Sequence, residues 1–372
     1  MVAVASAVVA LGAATGTMTA LGDDGDVGGG RDAGRARPKA GATLLSPSSP
    51  PSPPQSASPS AAASTAKPTP SATRTTSRPR AAAVPASLYR HPESQILDWV
   101  RAHPADPRAD VIESRIASRP AAVWFADYAP DTVTARVRAV TAGAAAQGRV
   151  PVLVAYAIPE RDCGGASEGG APDVGAYADW IDRFAAGLGS GEAVVVLEPD
   201  SIAQAGCLDE SGRADRFAAL ARAGRVLKSA NPMARVYYDA GHSGWNAPAE
   251  QAALLKQAGA ASAASSDGVF SNVSNFHDTA AEAAYDRRVL DALGGPPGLG
   301  AVIDTSRNGN GAPADGEWCD PDGRKIGRAP TFATGEDRID AYLWVKLPGE
   351  SDGCKGAAGE FSPSYAYELA SS

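Results

Sequence analysis

Short apolar runs, several of them closed by an acidic residue, alternate along this chain with stretches of helical spacing, and that alternation limits the fold more than any other feature. Seven runs can be read, at 121–125, 150–156, 193–197, 235–238, 268–273, 299–303 and 341–345. None keeps a strict apolar–polar alternation, as expected of strands buried on both faces. Helical spacing fills much of what lies between. In 174–188, Tyr177, Trp180, Ile181 and Phe184 fall on one side, and similar stretches occupy 215–229, 248–258 and 279–293. Strands alternating with helices imply βαβ units and a parallel sheet. Right-handed crossovers then bring the C-terminal ends of all strands to one side. Seven units suggest an α/β barrel of about seven parallel strands rather than an open sheet, with its site at the C-terminal face.

Acidic residues gather where that rule places a site. The run 194–197 leads through Glu198 and Pro199 to Asp200, and 152–156 leads to Arg161 and Asp162. Asp239 follows 236–238, Asp304 follows 301–303, and Lys346, Glu350 and Asp352 follow 342–345. Carboxylates collected at one end of a barrel form a negative cleft suited to acid–base chemistry on a neutral, polar substrate.

The barrel does not use the whole chain of 372 residues. Residues 31–86 are dominated by Ala, Pro, Ser and Thr and lack the apolar content needed to offset chain entropy, so they read as a disordered linker. Residues 1–30 hold an apolar, signal-like or anchor segment at 2–21 and a spacer. For a membrane span that segment is borderline in length and weak in hydrophobicity. Residues 87–372 remain as one domain, enough for a single-core barrel. Residues 1–86 hold eight Lys/Arg and four Asp/Glu, a net of +4, so the chain's net −8 leaves −12 on the remainder. An acidic domain is a poor binder of nucleic acid. Four cysteines, Cys163, Cys207, Cys319 and Cys354, suggest two disulfides with three possible pairings and an exported protein. With no CxxC spacing they do not suggest zinc, and no other metal or cofactor motif is present.

Glycoside hydrolysis needs one carboxyl group protonated and one ionised across the scissile bond. Asp200 follows an apolar strand, where desolvation and neighbouring carboxylates raise its pKa, so it is the expected general acid. Asp162, after the adjacent strand, is expected to couple to it. Asp352 comes from the last strand, which in a closed barrel neighbours the first, and so faces the cleft from the far side. Asp304 is the weakest candidate, because Arg307 nearby offers it a structural partner. Trp124, Trp245 and Trp318 lie at strand ends or in polar loops and suit sugar stacking. Trp99, Trp180 and Trp344 lie in periodic runs and are expected in the core. His242 and His277 also follow strands. Residues 305–335 form a non-helical connection containing Trp318 and Cys319, expected to be a fixed loop facing substrate. The run Arg307-Asn-Gly-Asn-Gly311 lacks the ending of a phosphate loop, and a Ser-His-Asp hydrolase lacks its GxSxG elbow.

Five segments together are more specific. Tyr156-Ala-Ile-Pro-Glu-Arg-Asp-Cys163, Leu197-Glu-Pro-Asp-Ser201, Tyr238-Asp-Ala-Gly-His-Ser-Gly-Trp245, Asp304-Thr-Ser-Arg-Asn-Gly309 and Trp344-Val-Lys-Leu-Pro-Gly-Glu-Ser-Asp-Gly353 resemble, in order, the glycoside hydrolase family 6 cellulases. The resemblance runs from about Leu88 to the C-terminus. It implies a single distorted, incomplete β/α barrel and inverting cleavage of β-1,4-glucan. On this chain it makes Asp200 the general acid, Asp162 a residue that tunes it and helps activate water with Ser167, and Asp352 the candidate base. Tyr156 would press on the distorted sugar and Asp239 would shape the site. Trp124, His242, Trp245, Asn275, Trp318, Lys346 and Glu350 would bind glucose units. It also implies the pairings Cys163–Cys207 and Cys319–Cys354. The connection after Asp162 is short, and few residues separate Gly268 from His277, which favours an open cleft and an endoglucanase. The alternatives are a cellobiohydrolase of the same family and a non-catalytic glycan-binding protein. The expected protein is a secreted monomer acting on cellulose and cello-oligosaccharides, with no cofactor and no nucleic-acid partner. A membrane enters only if residues 2–21 persist as an anchor.

Overall fold

The structure, a computed structural model, describes residues 87–371. The expectations for 1–30 and 31–86 lie outside the described residues.

The sheet is built from runs apolar at every position. Seven strands pair in the order β2 (Val123–Phe125), β4 (Val152–Ala155), β5 (Ala193–Leu197), β6 (Ala234–Asp239), β7 (Gly268–Ser271), β8 (Gly300–Asp304) and β9 (Ile339–Leu343). Every pairing is parallel. The registers align Leu153 with Val195 and Val195 with Val236, so one level of the sheet carries the same kind of side chain around the curve. Side chains alternate between faces, and each face has its own core. Leu153, Val195, Val236 and Val269 pack outward against the helices. Val154, Val196, Tyr237, Phe270 and Val302 fill the interior. Both faces are dry, which is why the strands read as unbroken apolar runs. A separate pair, β1 (Ser87–Leu88) with β3 (Arg149–Val150), lies outside this sheet.

The outer layer is α3 (Pro130–Ala146), α4 (Val174–Ala186), α5 (Glu210–Ala230), α6 (Pro248–Gln257) and α7 (Thr279–Leu293). Local chemistry sets where they begin. Pro130 and Pro248 occupy first-turn positions whose amide N–H would lack a helical partner anyway. Asp173 accepts from the Ala176 amide at 2.8 Å and Asp209 from the Gly212 amide at 2.7 Å. The Asp209 cap starts α5 ahead of the expected residue 215, because the apolar face alone does not reveal a polar first turn.

The barrel is incomplete. The ladder does not join β9 to β2, and the expected contact between last and first strands is reduced to a seam. The Ala122 amide donates to the Trp344 carbonyl at 2.9 Å, and the Trp124 indole N–H donates to the Val345 carbonyl at 2.7 Å. Beside this seam, α1 (Gln95–Ala102), α2 (Ala109–Ile112) with the π turn that follows it, and α8 (Pro363–Ser371) enclose a third cluster. Ile96, Ile112, Ile116, Leu347 and Ala366 pack there around Trp344. Trp180 and Trp344 are buried as expected. Trp99 is not: it packs at the margin of this cluster, half-buried and stacked on His103 at 5.1 Å.

Candidate active site

Positive φ at non-glycine residues marks where the backbone is held against its preference. Seven such residues sit in the loops beyond strand ends: Glu160, Asp162, Cys163, Glu198, Asp200, Asn272 and Ser274. All lie on the C-terminal side of the sheet, around a trench of about 1420 Å³. Of the residues singled out from sequence, it is lined by Trp124, Tyr156, Asp162, Ser167, Asp200, His242, Trp245, Asn275, Trp318, Lys346, Glu350 and Asp352. His277 lines it too.

Asp200 follows a strand buried at all five positions and has φ 68°. It keeps some exposure to the trench, yet protein surrounds it on the other sides. Burial, then the charges of Asp239, Asp162 and Asp352, raise its pKa well above the ordinary carboxylate range. Asp162 sits in a chain of hydroxyls. Its Oδ2 accepts from the Ser167 amide at 2.8 Å and from Ser167 Oγ at 2.9 Å, and Ser167 Oγ lies 2.9 Å from the Tyr156 hydroxyl. Burial and the nearby Asp200 raise the Tyr156 pKa. Arg161 holds this corner together. Its guanidinium donates to the carbonyls of Ala126, Tyr156 (2.6 Å) and Ser167 (2.7 Å) and lies 4.6 Å from the Tyr156 ring centre.

Asp352 lies across the trench and is nearly buried. Arg307 Nη1 lies 2.7 Å from one of its oxygens and Lys346 Nζ 3.5 Å from the other. The expected Arg307–Asp304 pair therefore does not form as an ion pair. Asp304 instead accepts from the amides of Ser306 (2.9 Å) and Lys346 (3.0 Å), and Arg307 turns to Asp352. Burial pushes the Glu350 carboxyl up to about 7, with Lys346 and Arg307 acting against it.

Asp239 does not reach the lining. It is buried behind it, where one oxygen accepts from the amides of Ile202 (3.0 Å) and Ala203 (2.8 Å), directly after Asp200 and Ser201. From there it supports the loop that carries Asp200 and does not face the trench. Burial raises its pKa despite those amides. At one end of the trench, His242 stacks on His277 with ring centres 4.2 Å apart and meets Trp245 at 5.1 Å. Burial, then the neighbouring imidazole, lowers His242 to about 4. Trp318 stands 58% exposed in the long connection, a flat rim for the trench. Cys163 is bonded to Cys207 and Cys319 to Cys354, the pairing that the resemblance implies.

Two buried acids that hold the loops of the trench escaped sequence reasoning. Glu198, fully buried, accepts from the amides of Ala157 (3.1 and 2.9 Å to its two oxygens) and Ile158 (3.0 Å), which lie between Tyr156 and Asp162. A Glu closing a wholly apolar run was the signal. Asp320 is the second: its four hydrogen-bond donors come from the far end of the chain, which nothing local could reveal.

The sequence profile of the glycosyl hydrolases family 6 matches residues 83–371. The chain belongs to this family. Its relatives in glycosyl hydrolases family 6 include Endoglucanase 1 of Streptomyces sp. (strain KSM-9), 53% identical over 77% of this chain and 79% of the relative. Endoglucanase A of Thermobispora bispora is 48% identical over 78% of this chain, which spans 63% of that protein's length. Among solved structures, the endoglucanase Cel6 of Mycobacterium tuberculosis superposes with a TM-score of 0.70. It is 39% identical over 76% of this chain and 96% of that one, and was solved in complex with methyl-cellobiosyl-4-deoxy-4-thio-β-D-cellobioside. As a glycosyl hydrolase of family 6, the chain is an enzyme that needs an acid and an activated water, and the trench brings the expected carboxylates to one place.

Proposed function

We propose that the chain is a secreted, inverting endo-β-1,4-glucanase that cuts internal bonds of cellulose, with Asp200 as general acid. The observation that carries this reading is the position of Asp200: on the trench floor, raised by burial and by three other carboxylates. A carboxyl group kept protonated near neutrality can hand its proton to the leaving glycosidic oxygen. Asp162, bonded to Ser167 and through it to Tyr156, is suited to orient water and to hold the Asp200 proton. Asp352, on the opposite wall, is the proposed base. Trp124, Trp245 and Trp318 offer faces to glucose rings, while His242, Asn275, Lys346 and Glu350 offer polar contacts.

Endo action is supported by short connections over the trench. Residues 272–278 alone join β7 to α7, and residues 163–173 fold back against the segment just after β4 through the Ala171 amide bond to the Ala157 carbonyl at 2.8 Å. Relatives bearing the name endoglucanase, and one solved with a cellobioside analogue, support a β-1,4-glucan substrate. Two disulfides support an oxidising compartment.

The test is carboxymethylcellulose hydrolysis followed by both viscosity and reducing ends, with proton NMR of the first anomer released. Fast viscosity loss and an initial α-anomer are expected, with Asp200→Ala inactive. Cellobiose from chain ends with little viscosity loss would instead indicate a cellobiohydrolase, and an initial β-anomer would exclude inversion.

A further inference from the structure

Asp320 belongs to the long connection between β8 and β9, far in sequence from the loop after β9 that carries Glu350 and Asp352. Its side chain is wholly buried, and its backbone is held at φ 48° although it is not glycine. A strained backbone at a buried acid asks what the carboxylate does. One oxygen accepts from Ser351 Oγ at 2.5 Å and from the amides of Cys354 at 3.0 Å and Lys355 at 2.8 Å. The other accepts from the Asp352 amide at 2.7 Å. The contact is reciprocal, since the Asp320 amide donates to the Asp352 carboxylate at 3.2 Å. Arg307 lies 2.7 Å from Asp352 and 3.9 Å from Asp320, so one buried guanidinium faces both acids. Lys346 donates to the Ser351 carbonyl at 3.0 Å from the same loop.

Residues 351–355 therefore wrap around a single carboxylate. The neighbouring Cys319–Cys354 bond ties the same two segments but offers no acceptor for these inward-pointing N–H groups. Without Asp320 the loop must turn several donors elsewhere, and Asp352 turns with them.

We propose that Asp320 is a positioning residue: its carboxylate is the template on which residues 351–355 fold, and it sets how Asp352 faces the trench. The inference rests on the catalytic reading of Asp352 given above. Asp320 is buried outside the trench lining and acts through Asp352.

The test compares Asp320→Ala, Asp320→Asn and Asp352→Ala on a cello-oligosaccharide and on an aryl cellobioside with a good leaving group. Val140→Ala, a packing change in the outer helix layer, serves as a stability control. Asp320→Ala is expected to lower kcat about 100-fold with KM within about threefold, the penalty of a misplaced catalytic group. Asp320→Asn keeps one acceptor oxygen and is expected to recover about tenfold of that loss. The loss should be equal on both substrates, because a better leaving group relieves the acid side of the reaction and not the water side. Val140→Ala should lower Tm without changing kcat. Wild-type kcat in Asp320→Ala beside an impaired Asp352→Ala would overturn the positioning role alone. Wild-type kcat in Asp352→Ala would remove the base reading and the proposal with it. Recovery of Asp320→Ala on the activated substrate, or a loss seen only in Tm and KM, would also overturn it. Should Asp320→Ala fail to fold, Asp320→Asn decides by the same comparisons.

Discussion

Asp200 illustrates how a single carboxyl group acquires its chemistry from where a strand ends. The five buried residues of β5 carry the chain to the trench, and Asp200 is held there at positive φ. Asp239 is the largest of the charges that raise it. Two predictions follow from this pairing. Asp200→Asn should lose roughly 10²–10⁴-fold in kcat on an unactivated cello-oligosaccharide and markedly less on a substrate with a good leaving group, the range for loss of a general acid. Asp239→Asn should shift the pH profile. A raised pKa keeps Asp200 protonated over a wider range, so with Asp200 as the proposed acid activity should persist below that pKa and fall as pH rises through it. Removing the Asp239 charge lowers the Asp200 pKa, and the alkaline limb of kcat/KM should move to lower pH. An unmoved or alkaline-shifted limb would contradict the coupling.

Single elements are joined in this barrel by acids that reach the loop next door. Glu198, at the end of β5, holds the segment after β4; Asp239, at the end of β6, holds the segment after β5; Asp304, at the end of β8, holds the segment after β9. The strands themselves were legible. The run 193–197 coincides with β5 and 279–293 with α7, because buried parallel strands and amphipathic helices carry their periods openly. The helix α3 was not, since its alanine-rich face carries little pattern. The lining was legible to the extent that it sits at strand ends, as Trp124, Asp162 and Asp352 do. The holding role of Asp239 and the clasp of Asp320 were not, because both depend on amides brought near by tertiary folding. Glu198 yields a prediction about stability. Burial lifts its carboxyl from 4.5 to about 7. Because the native state then binds the extra proton, this group's contribution is complete below pH 4.5 and declines as pH rises through 7. Glu198→Gln should remove that slope from urea-unfolding free energies measured between pH 4.5 and 7. An unchanged slope would mean that the carboxyl titrates normally. The disulfides act on the same loops. Opening either, across separations of 44 and 35 residues, should cost about 4 kcal/mol in denaturant unfolding under reducing conditions.

For the whole molecule, the open seam and the open trench have one origin. A fully closed barrel would pair β9 with β2 along their length. Here a single amide bond and the Trp124 indole take the place of that ladder. The same indole meets the Tyr156 ring edge-on at 5.2 Å, so the ring that closes the barrel is also a wall of the trench. The cluster around Trp344 compensates by packing helices against the unpaired edges. Trp124 is therefore under two demands that substitutions can separate. Trp124→Phe keeps a flat ring and removes the donor to Val345. It should cost about 1 kcal/mol of stability, the usual net worth of such a bond, and leave KM for cello-oligosaccharides within about threefold, because the stacking surface persists. Trp124→Ala removes both, and should lower stability by about 3 kcal/mol while raising KM by roughly tenfold, the scale of one lost stacking contact. Hydrogen exchange locates the effect: the Ala122 amide should lose protection first in both variants, ahead of amides in β5 and β6. Uniform loss across the sheet would mean that the seam is no weaker than the ladders, and that closure does not depend on Trp124.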